Sequence, residues 1–253
     1  MRIIVLDTET NGLPANRYIS YTNTKVWPAI VQVAWEVWDI RFDGAAEPMQ
    51  LRKTSLLVKP PTDLVWNEES AAIHGISRET AEAKGVPARD ALLLLAADCR
   101  ECDLAVIHNL AFDKNILWSA AHRLEEPELA APIWWPKHEL CTMLGTAAIC
   151  KIPSTAKKAN PADPYKWPRL DELWAYLFPE TPAPQGLHDA GVDVGVLVRC
   201  FLELHRRRVL ALPDIADRPL PSPLPAAAAP ATAAAPESRF DRFWRTVLRF
   251  FDL

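Results

Sequence analysis

Two carboxylates separated by one residue follow the first apolar run of the chain. Asp7 and Glu9 come directly after residues 2–6, which are typical of a strand buried on both faces. Residues i and i+2 of an extended segment point to the same side, so these two carboxylates converge. Like charges this close repel each other unless a cation lies between them, and hard oxygen ligands suit Mg²⁺ or Mn²⁺. The pair indicates a divalent-metal site at the carboxyl edge of a sheet, with an exposed acidic turn as the alternative.

Two later segments place further acids at the ends of predicted elements. In HNLAFD, residues 108–113, Asp113 stands between a predicted buried strand and a helix. In HDAGVD, residues 188–193, His188 precedes the last long helix and Asp193 flanks its buried stripe, so its carboxylate can point inward. Taken singly, both acids are equally typical of the first turn of a helix, and His188 is typical of a loop.

The order and contexts of these three segments resemble the DEDDh family of 3′ to 5′ exonucleases. That family includes the proofreading ε subunit of the bacterial replicative polymerase, RNase T and oligoribonuclease. The resemblance covers about residues 1–205 and extends to EESAAIHGIS around His74, LCTM at residues 140–143 and KWPRLDEL at residues 166–173. It implies a ribonuclease H-like fold.

The resemblance also implies a role for individual residues. Two divalent metal ions, Mg²⁺ or Mn²⁺, would be bound by Asp7, Glu9, Asp113 and Asp193, with His188 as the general base. The residues expected to contact the substrate, beside the terminal nucleotide or at its sugar and base, are Thr10, Gly12, Leu13, Glu69, His74, Asn109 and Phe112. The alternatives are that His74 is a buried loop histidine and that Gly12 is only a turn residue.

General chemistry supplies a mechanism for these residue types. Two divalent ions bound by these acids would clamp the scissile phosphate, one activating a water and the other stabilising the leaving 3′-oxygen. An unperturbed imidazole has a pKa of about 6.5, so a neutral His188 can accept the proton of the water at roughly pH 7 to 8. We therefore expect activity to be lost in acid.

The elements that must position these residues follow from the hydrophobic pattern. Residues 2–6, 29–40 and 51–58 predict an antiparallel meander, and the segments after it alternate between helix and strand. The predicted later elements are a strand at 104–108 and helices at 89–99, 111–122, 140–150, 170–178 and 190–208. This order predicts an α/β domain with a mixed five-stranded sheet flanked by helices, over residues 1–209.

The C-terminal part of the chain has a different composition. Residues 210–237 form a Pro/Ala-rich segment, with seven prolines between positions 213 and 236, which predicts a flexible linker. Residues 238–253 have an amphipathic helical pattern with apolar positions 240, 243, 244, 247, 248 and 251. The leading hypothesis is an interaction segment that binds a DNA polymerase or another protein in a groove. An anionic membrane surface or packing against the body are the alternatives.

Composition limits the class of protein. Hydrophobic residues make up 49% and charged residues 24% of the chain, which is typical of a folded globular protein. Apolar stretches fall short of a membrane span, so we expect no integral membrane association. The net charge of −4 decides nothing about nucleic-acid binding. Five cysteines without zinc-site spacing predict reduced thiols and a cytoplasmic location.

The sequence therefore predicts a metal-dependent 3′ to 5′ exonuclease that converts single-stranded DNA ends to nucleoside 5′-monophosphates, in proofreading or repair. An exoribonuclease that trims RNA is the alternative within the same class, because the acids and the histidine serve both sugars. The alternative from another class is a non-catalytic module that binds nucleic acid or a polymerase.

Overall fold

The first strand occupies the centre of a mixed five-stranded sheet, as predicted. The computed structural model describes residues 1–16, 18–41, 47–154, 164–210 and 212. The strands are β1 (Arg2–Thr10), β2 (Ile30–Asp39), β3 (Met49–Leu57), β4 (Leu104–Ile107) and β5 (His138–Cys141). Their order is β3-β2-β1-β4-β5, with β1, β2 and β3 antiparallel and with β4 and β5 parallel to β1.

Helices cover both faces of this sheet. They are α1 (Glu68–His74), α2 (Arg78–Lys84), α3 (Ala88–Arg100), α4 (Leu110–Arg123), α5 (Pro127–Ala130), α6 (Thr142–Cys150), α7 (Leu170–Leu177) and α8 (Ala190–Arg206), with a 3-10 turn at Pro132–Trp134. The predicted linker at 210–237, apart from residues 210 and 212, and the predicted helix at 238–253 lie outside the described residues.

Alternation along β1 assigns its side chains to two cores. Ile4 and Leu6 lie in the core that α3 and α4 share with the sheet, whereas Ile3 and Val5 pack against α8. Because side chains alternate along a strand, Asp7 continues the series that faces α8. This parity determines which helix each acid of β1 can approach.

Strand β1 is four residues longer than the predicted strand. Asp7, Thr8, Glu9 and Thr10 pair with β2, although acids have low strand propensity. The backbone hydrogen bonds of an antiparallel neighbour outweigh that preference. Asp7 and Glu9 therefore lie within the sheet, and the alternative of an exposed acidic turn is wrong.

The structure differs from the predicted elements in two places. Leu140 and Cys141 were expected in a helix, but they belong to β5 and pair with Val106 and Ile107. A short apolar run is ambiguous between strand and helix, and pairing with a buried parallel strand decides it. Helices α1 and α2 were not predicted as elements, although their N-caps Asn67 and Ser77 follow the usual helix-start pattern.

Two further features bear on the composition-based expectations. Among the described residues, no helix is both long enough and apolar enough to cross a bilayer. All five cysteines are described, and each carries a free thiol.

Candidate active site

Acids from three elements converge at the carboxyl end of β1. Asp7 and Glu9 come from the strand itself, Asp113 from the first turn of α4 and Asp193 from the first turn of α8. The two helices approach β1 from opposite faces. The three segments that the sequence singled out are thus brought to one edge of the sheet.

A pair of hydrogen bonds ties Asp113 to β1. Its Oδ1 accepts from the backbone N–H of Thr8 at 3.0 Å and from the Thr8 hydroxyl at 2.8 Å. Asp113 is only 2% exposed. Asp113 therefore does not serve only the first turn of α4, because its side chain points toward the sheet and not toward solvent.

A smaller group within this site offers ligands for a cation. One ligand atom each from Glu9, His188 and Asp193 lies within 4.8 Å of the others. The Oδ2 of Asp193 accepts from the backbone N–H of His188 at 3.1 Å, whereas its buried Oδ1 has no hydrogen-bond partner in the described structure. Carboxylate oxygens with free lone pairs beside an imidazole fit a divalent metal ion.

Burial raises the pKa of all four acids in the site, and neighbouring negative charges raise it further for Asp7, Glu9 and Asp193. Burial and the negative charges of Asp193, Asp113 and Asp189 raise the pKa of Glu9 to about 8. The same two causes, burial and the neighbouring acids, hold the pKa of Asp7 well above its usual range. Burial also raises the pKa of Asp113, against the Thr8 hydrogen bonds, and raises that of Asp193 to about 6, against the His188 N–H.

These shifts predict that the stability of the metal-free protein falls as pH rises. The folded state keeps protons that the unfolded chain has already released above the ordinary carboxyl pKa of about 4. Stability is therefore lost as pH rises from that range through the value of about 8 for Glu9. A divalent ion replaces those protons and should raise the melting temperature Tm more at pH 8 than at pH 5.5.

Thermal melts in EDTA and in Mn²⁺ at these two pH values test this expectation. A Glu9→Gln variant is the control, because removing its charge should flatten the pH dependence of Tm. A metal-free Tm that is equal at both pH values, together with no shift by Mn²⁺ at pH 8, would contradict it.

His188 occupies a strained position beside these acids. Its φ of 71° is left-handed, a region that residues other than glycine rarely adopt, and its side chain is exposed. The next residue, Asp189, caps α8 by accepting from the N–H groups of Gly191 at 2.9 Å and Val192 at 3.1 Å. The strained backbone presents an accessible imidazole next to Glu9 and Asp193.

A cavity of about 390 Å³ adjoins Glu9 and contains six of the seven predicted substrate residues. They are Thr10, Gly12, Leu13, Glu69, His74 and Phe112. The seventh, Asn109, lines a neighbouring cavity of about 830 Å³, which shares Leu13 and Phe112 with the first. The predicted substrate residues therefore lie along two adjoining cavities, with Leu13 and Phe112 common to both.

Two of these residues also have structural roles. Gly12 has φ of 105°, and the Thr10 hydroxyl donates to its carbonyl at 2.7 Å, so it is a turn residue as well as part of the cavity wall. His74 is buried, and its Nδ1 accepts from the N–H of Ile76 at 3.1 Å, which leaves the proton of the neutral ring on Nε2. Burial lowers the pKa of His74.

The larger cavity has aromatic residues that the sequence reasoning missed. Tyr18, Trp27 and Trp167 line it. The Arg123 guanidinium holds the loop before β2 by donating to the carbonyls of Thr24, at 2.6 Å, and of Trp27. Of these three residues, only Trp167 could have been found from the sequence, because it stands in the KWPRLDEL motif. Tyr18 and Trp27 stand in no motif, and they join the cavity through contacts between distant parts of the chain.

His108, which is partly buried, bridges two segments that contribute residues to the lining of that cavity. Its Nε2 lies 3.0 Å from the carbonyl of Pro168, next to Trp167, and its Nδ1 lies 3.0 Å from the Thr142 hydroxyl. Hydrogen bonds from Arg123 and His108 therefore hold segments that carry Trp27 and Trp167 of the cavity lining.

Comparison with known proteins shows the fold. No family model and no curated protein matches the chain. The zinc-bound form of the E. coli exonuclease I complex with single-stranded DNA matches with a TM-score of 0.56 and 17% identity, over 82% of this chain and 41% of that chain. E. coli exonuclease I with a dA16 oligonucleotide gives 0.57 and 15%, over 82% and 42%.

A third solved structure agrees with these two. The moderately thermophilic exonuclease I from Methylocaldum szegediense matches with a TM-score of 0.52 and 16% identity, over 78% of this chain and 40% of that chain. The chain thus spans less than half the length of these proteins. It shares their ribonuclease H-like fold, which confirms the predicted fold class.

Proposed function

We propose that this chain is a divalent-metal-dependent 3′ to 5′ exonuclease of the DEDDh type that hydrolyses single-stranded DNA to nucleoside 5′-monophosphates. The observation that carries the proposal is the convergence of Asp7, Glu9, Asp113 and Asp193, with His188, at the carboxyl end of β1. The fold shared with exonuclease I supports it. Those relatives were solved with single-stranded DNA, which is the basis for preferring DNA over RNA.

The four acids would bind two divalent ions, Mg²⁺ or Mn²⁺. Bound there, the ions would act as Lewis acids that activate water and stabilise the leaving 3′-oxygen. The unpartnered Oδ1 of Asp193 and the carboxylate of Glu9 provide free oxygens on one side. Thr8 holds Asp113 in place on the other side.

The remaining residues position the substrate and move the proton. His188, exposed and next to Glu9, accepts the proton of the attacking water. The cavity beside Glu9 takes the terminal nucleotide, and the aromatic residues Tyr18 and Trp167 of the larger cavity offer surfaces on which the preceding base can stack.

Digestion of labelled oligonucleotides tests this function. Single-stranded DNA and RNA of one sequence, labelled at the 3′ or the 5′ end, are incubated with Mg²⁺, Mn²⁺ or EDTA. We expect metal-dependent, stepwise loss from the 3′ end and release of 5′-monophosphates, faster on DNA. Cleavage that persists in EDTA, or none of either polymer, would contradict the proposal, and a faster rate on RNA would favour the exoribonuclease.

The division of the chain is part of the same proposal. Residues 1–209 form the exonuclease domain, 210–237 a linker and 238–253 a segment that binds a DNA polymerase or another protein, in proofreading or repair in the cytoplasm. This division rests on composition and on the amphipathic pattern of the last segment. Equal recovery of partners by the full chain and by a chain ending at residue 237 would contradict the role of that segment.

A further inference from the structure

A buried amide joins β2 to the start of α8. Gln32 is 4% exposed, and in the sheet it lies opposite Glu9. Its Nε2 donates to the Oδ2 of Asp189 at 2.9 Å and to the Ser55 hydroxyl at 3.2 Å. Its Oε1 accepts from the backbone N–H of Ala190 at 3.1 Å. Both ends of the side chain are therefore bonded to the segment that precedes or begins α8.

One carboxylate oxygen of Asp189 bonds the sheet and the other bonds the helix. Oδ2 accepts from Gln32, while Oδ1 caps the helix by accepting from Gly191 and Val192. Asp189 follows His188 directly and stands four residues before Asp193. Any displacement of this N-cap moves both residues relative to Glu9.

Close packing leaves the start of α8 little room to shift. Ala190 is fully buried, and a Cβ built on Gly191 would lie 3.1 Å from the Oδ1 of Asp189 and 3.3 Å from the Ser55 hydroxyl. The helix start is thus pressed onto β2 and β3. Gln32 contacts this helix start at two points, because it bonds the side chain of Asp189 and the backbone of Ala190 at once.

We propose that Gln32 is a positioning residue of this site, holding His188 and Asp193 in register with Glu9 through Asp189. This role rests on the proposed function for its effect on catalysis. The arrangement requires a donor at one end of the side chain and an acceptor at the other, which an amide provides and a carboxylate does not. A carboxylate at position 32 would face the carboxylate of Asp189 without a proton between them.

A reciprocal exchange of the two groups provides the test. Gln32→Glu and Asp189→Asn should each lower kcat, by about 10- to 100-fold, with a smaller change in KM for an oligonucleotide. The double variant should recover most of the loss. Its new amide at position 189 can donate to the new carboxylate and still cap α8, and that carboxylate still accepts from Ala190.

Binding of Mn²⁺, measured by titration calorimetry, supplies a readout that does not depend on cleavage. Each single variant should bind Mn²⁺ about 10-fold more weakly or worse, and the double variant should approach the wild type. Gln50→Glu, the same change at an exposed position of β3, is the matched control and should alter neither quantity.

The outcomes separate this role from the proposed function. If the wild type cleaves no polymer but Mn²⁺ affinity follows the predicted order, the exonuclease proposal fails and the positioning role stands. If Gln32→Glu matches the wild type in kcat and Mn²⁺ affinity, or if the folded double variant is no better than the single variants, the positioning role is overturned. Gln32→Met, of similar size but without the amide, gives a second test and should show the same losses.

Discussion

Asp7→Asn is expected to abolish cleavage of a 3′-labelled single-stranded oligonucleotide while the chain stays folded. Asp7 lies in the central strand and interacts electrostatically with Asp113, Asp193 and Glu9. Its loss removes one of the charges that would hold the metal ions, and several kcal/mol of transition-state stabilisation correspond to roughly 10³-fold or more in kcat.

The same substitution separates a functional acid from a structural one. Burial and the neighbouring negative charges both raise the pKa of Asp7, so a neutral amide removes an unfavourable buried charge. The Tm of the metal-free variant at pH 8 should therefore equal or exceed that of the wild type. Asp63→Asn, the same change at an exposed position outside the site, is the control. A folded Asp7→Asn chain that keeps wild-type kcat would remove Asp7 from the proposed mechanism.

His188→Gln is expected to lower kcat by about 10² to 10⁴-fold, the usual contribution of a general base. The imidazole is exposed and lies next to Glu9 and Asp193, where it can take a proton from a water between them. The rate is measured under single-turnover conditions at saturating Mn²⁺, so that weaker substrate or metal binding does not enter it.

Metal affinity distinguishes a proton acceptor from a ligand. A general base should leave the Mn²⁺ affinity nearly unchanged, whereas loss of a ligand would weaken it about 10- to 100-fold. His205→Gln, near the opposite end of α8, is the matched control. A kcat for His188→Gln equal to that of this control would exclude His188 as the base.

The fold could be predicted because its signals are local. The continuous apolar run at residues 2–6 indicates a buried strand, and the helical period of residues 190–208 indicates a helix. The meander and the last helix were therefore placed within a few residues. The length of β1 and the strand at Leu140 could not be predicted, because pairing with β2 and β4 decides both.

The residues of the candidate site also fall into those that the sequence could predict and those that it could not. Asp113 and His188 stand in motifs that can be read along the chain. Gln32 and Trp27 stand in none, and their roles depend on contacts such as the bond from Gln32 to Asp189 across 157 residues. A lone glutamine in a strand carries no signal of the helix cap that it will hold.

The wide spacing of the acids also has a consequence for how the chain acquires its chemistry. Asp7 lies in the first strand and Asp193 in the last described helix, whereas the meander of β1, β2 and β3 joins neighbouring segments. Local pairings form early in folding, and distant ones must wait for the intervening chain. During synthesis the sheet can begin to assemble long before α8 has left the ribosome. A nascent or half-folded chain therefore lacks Asp193 and His188 at the proposed metal site. The proposed nuclease would become active only after α8 has packed against the sheet.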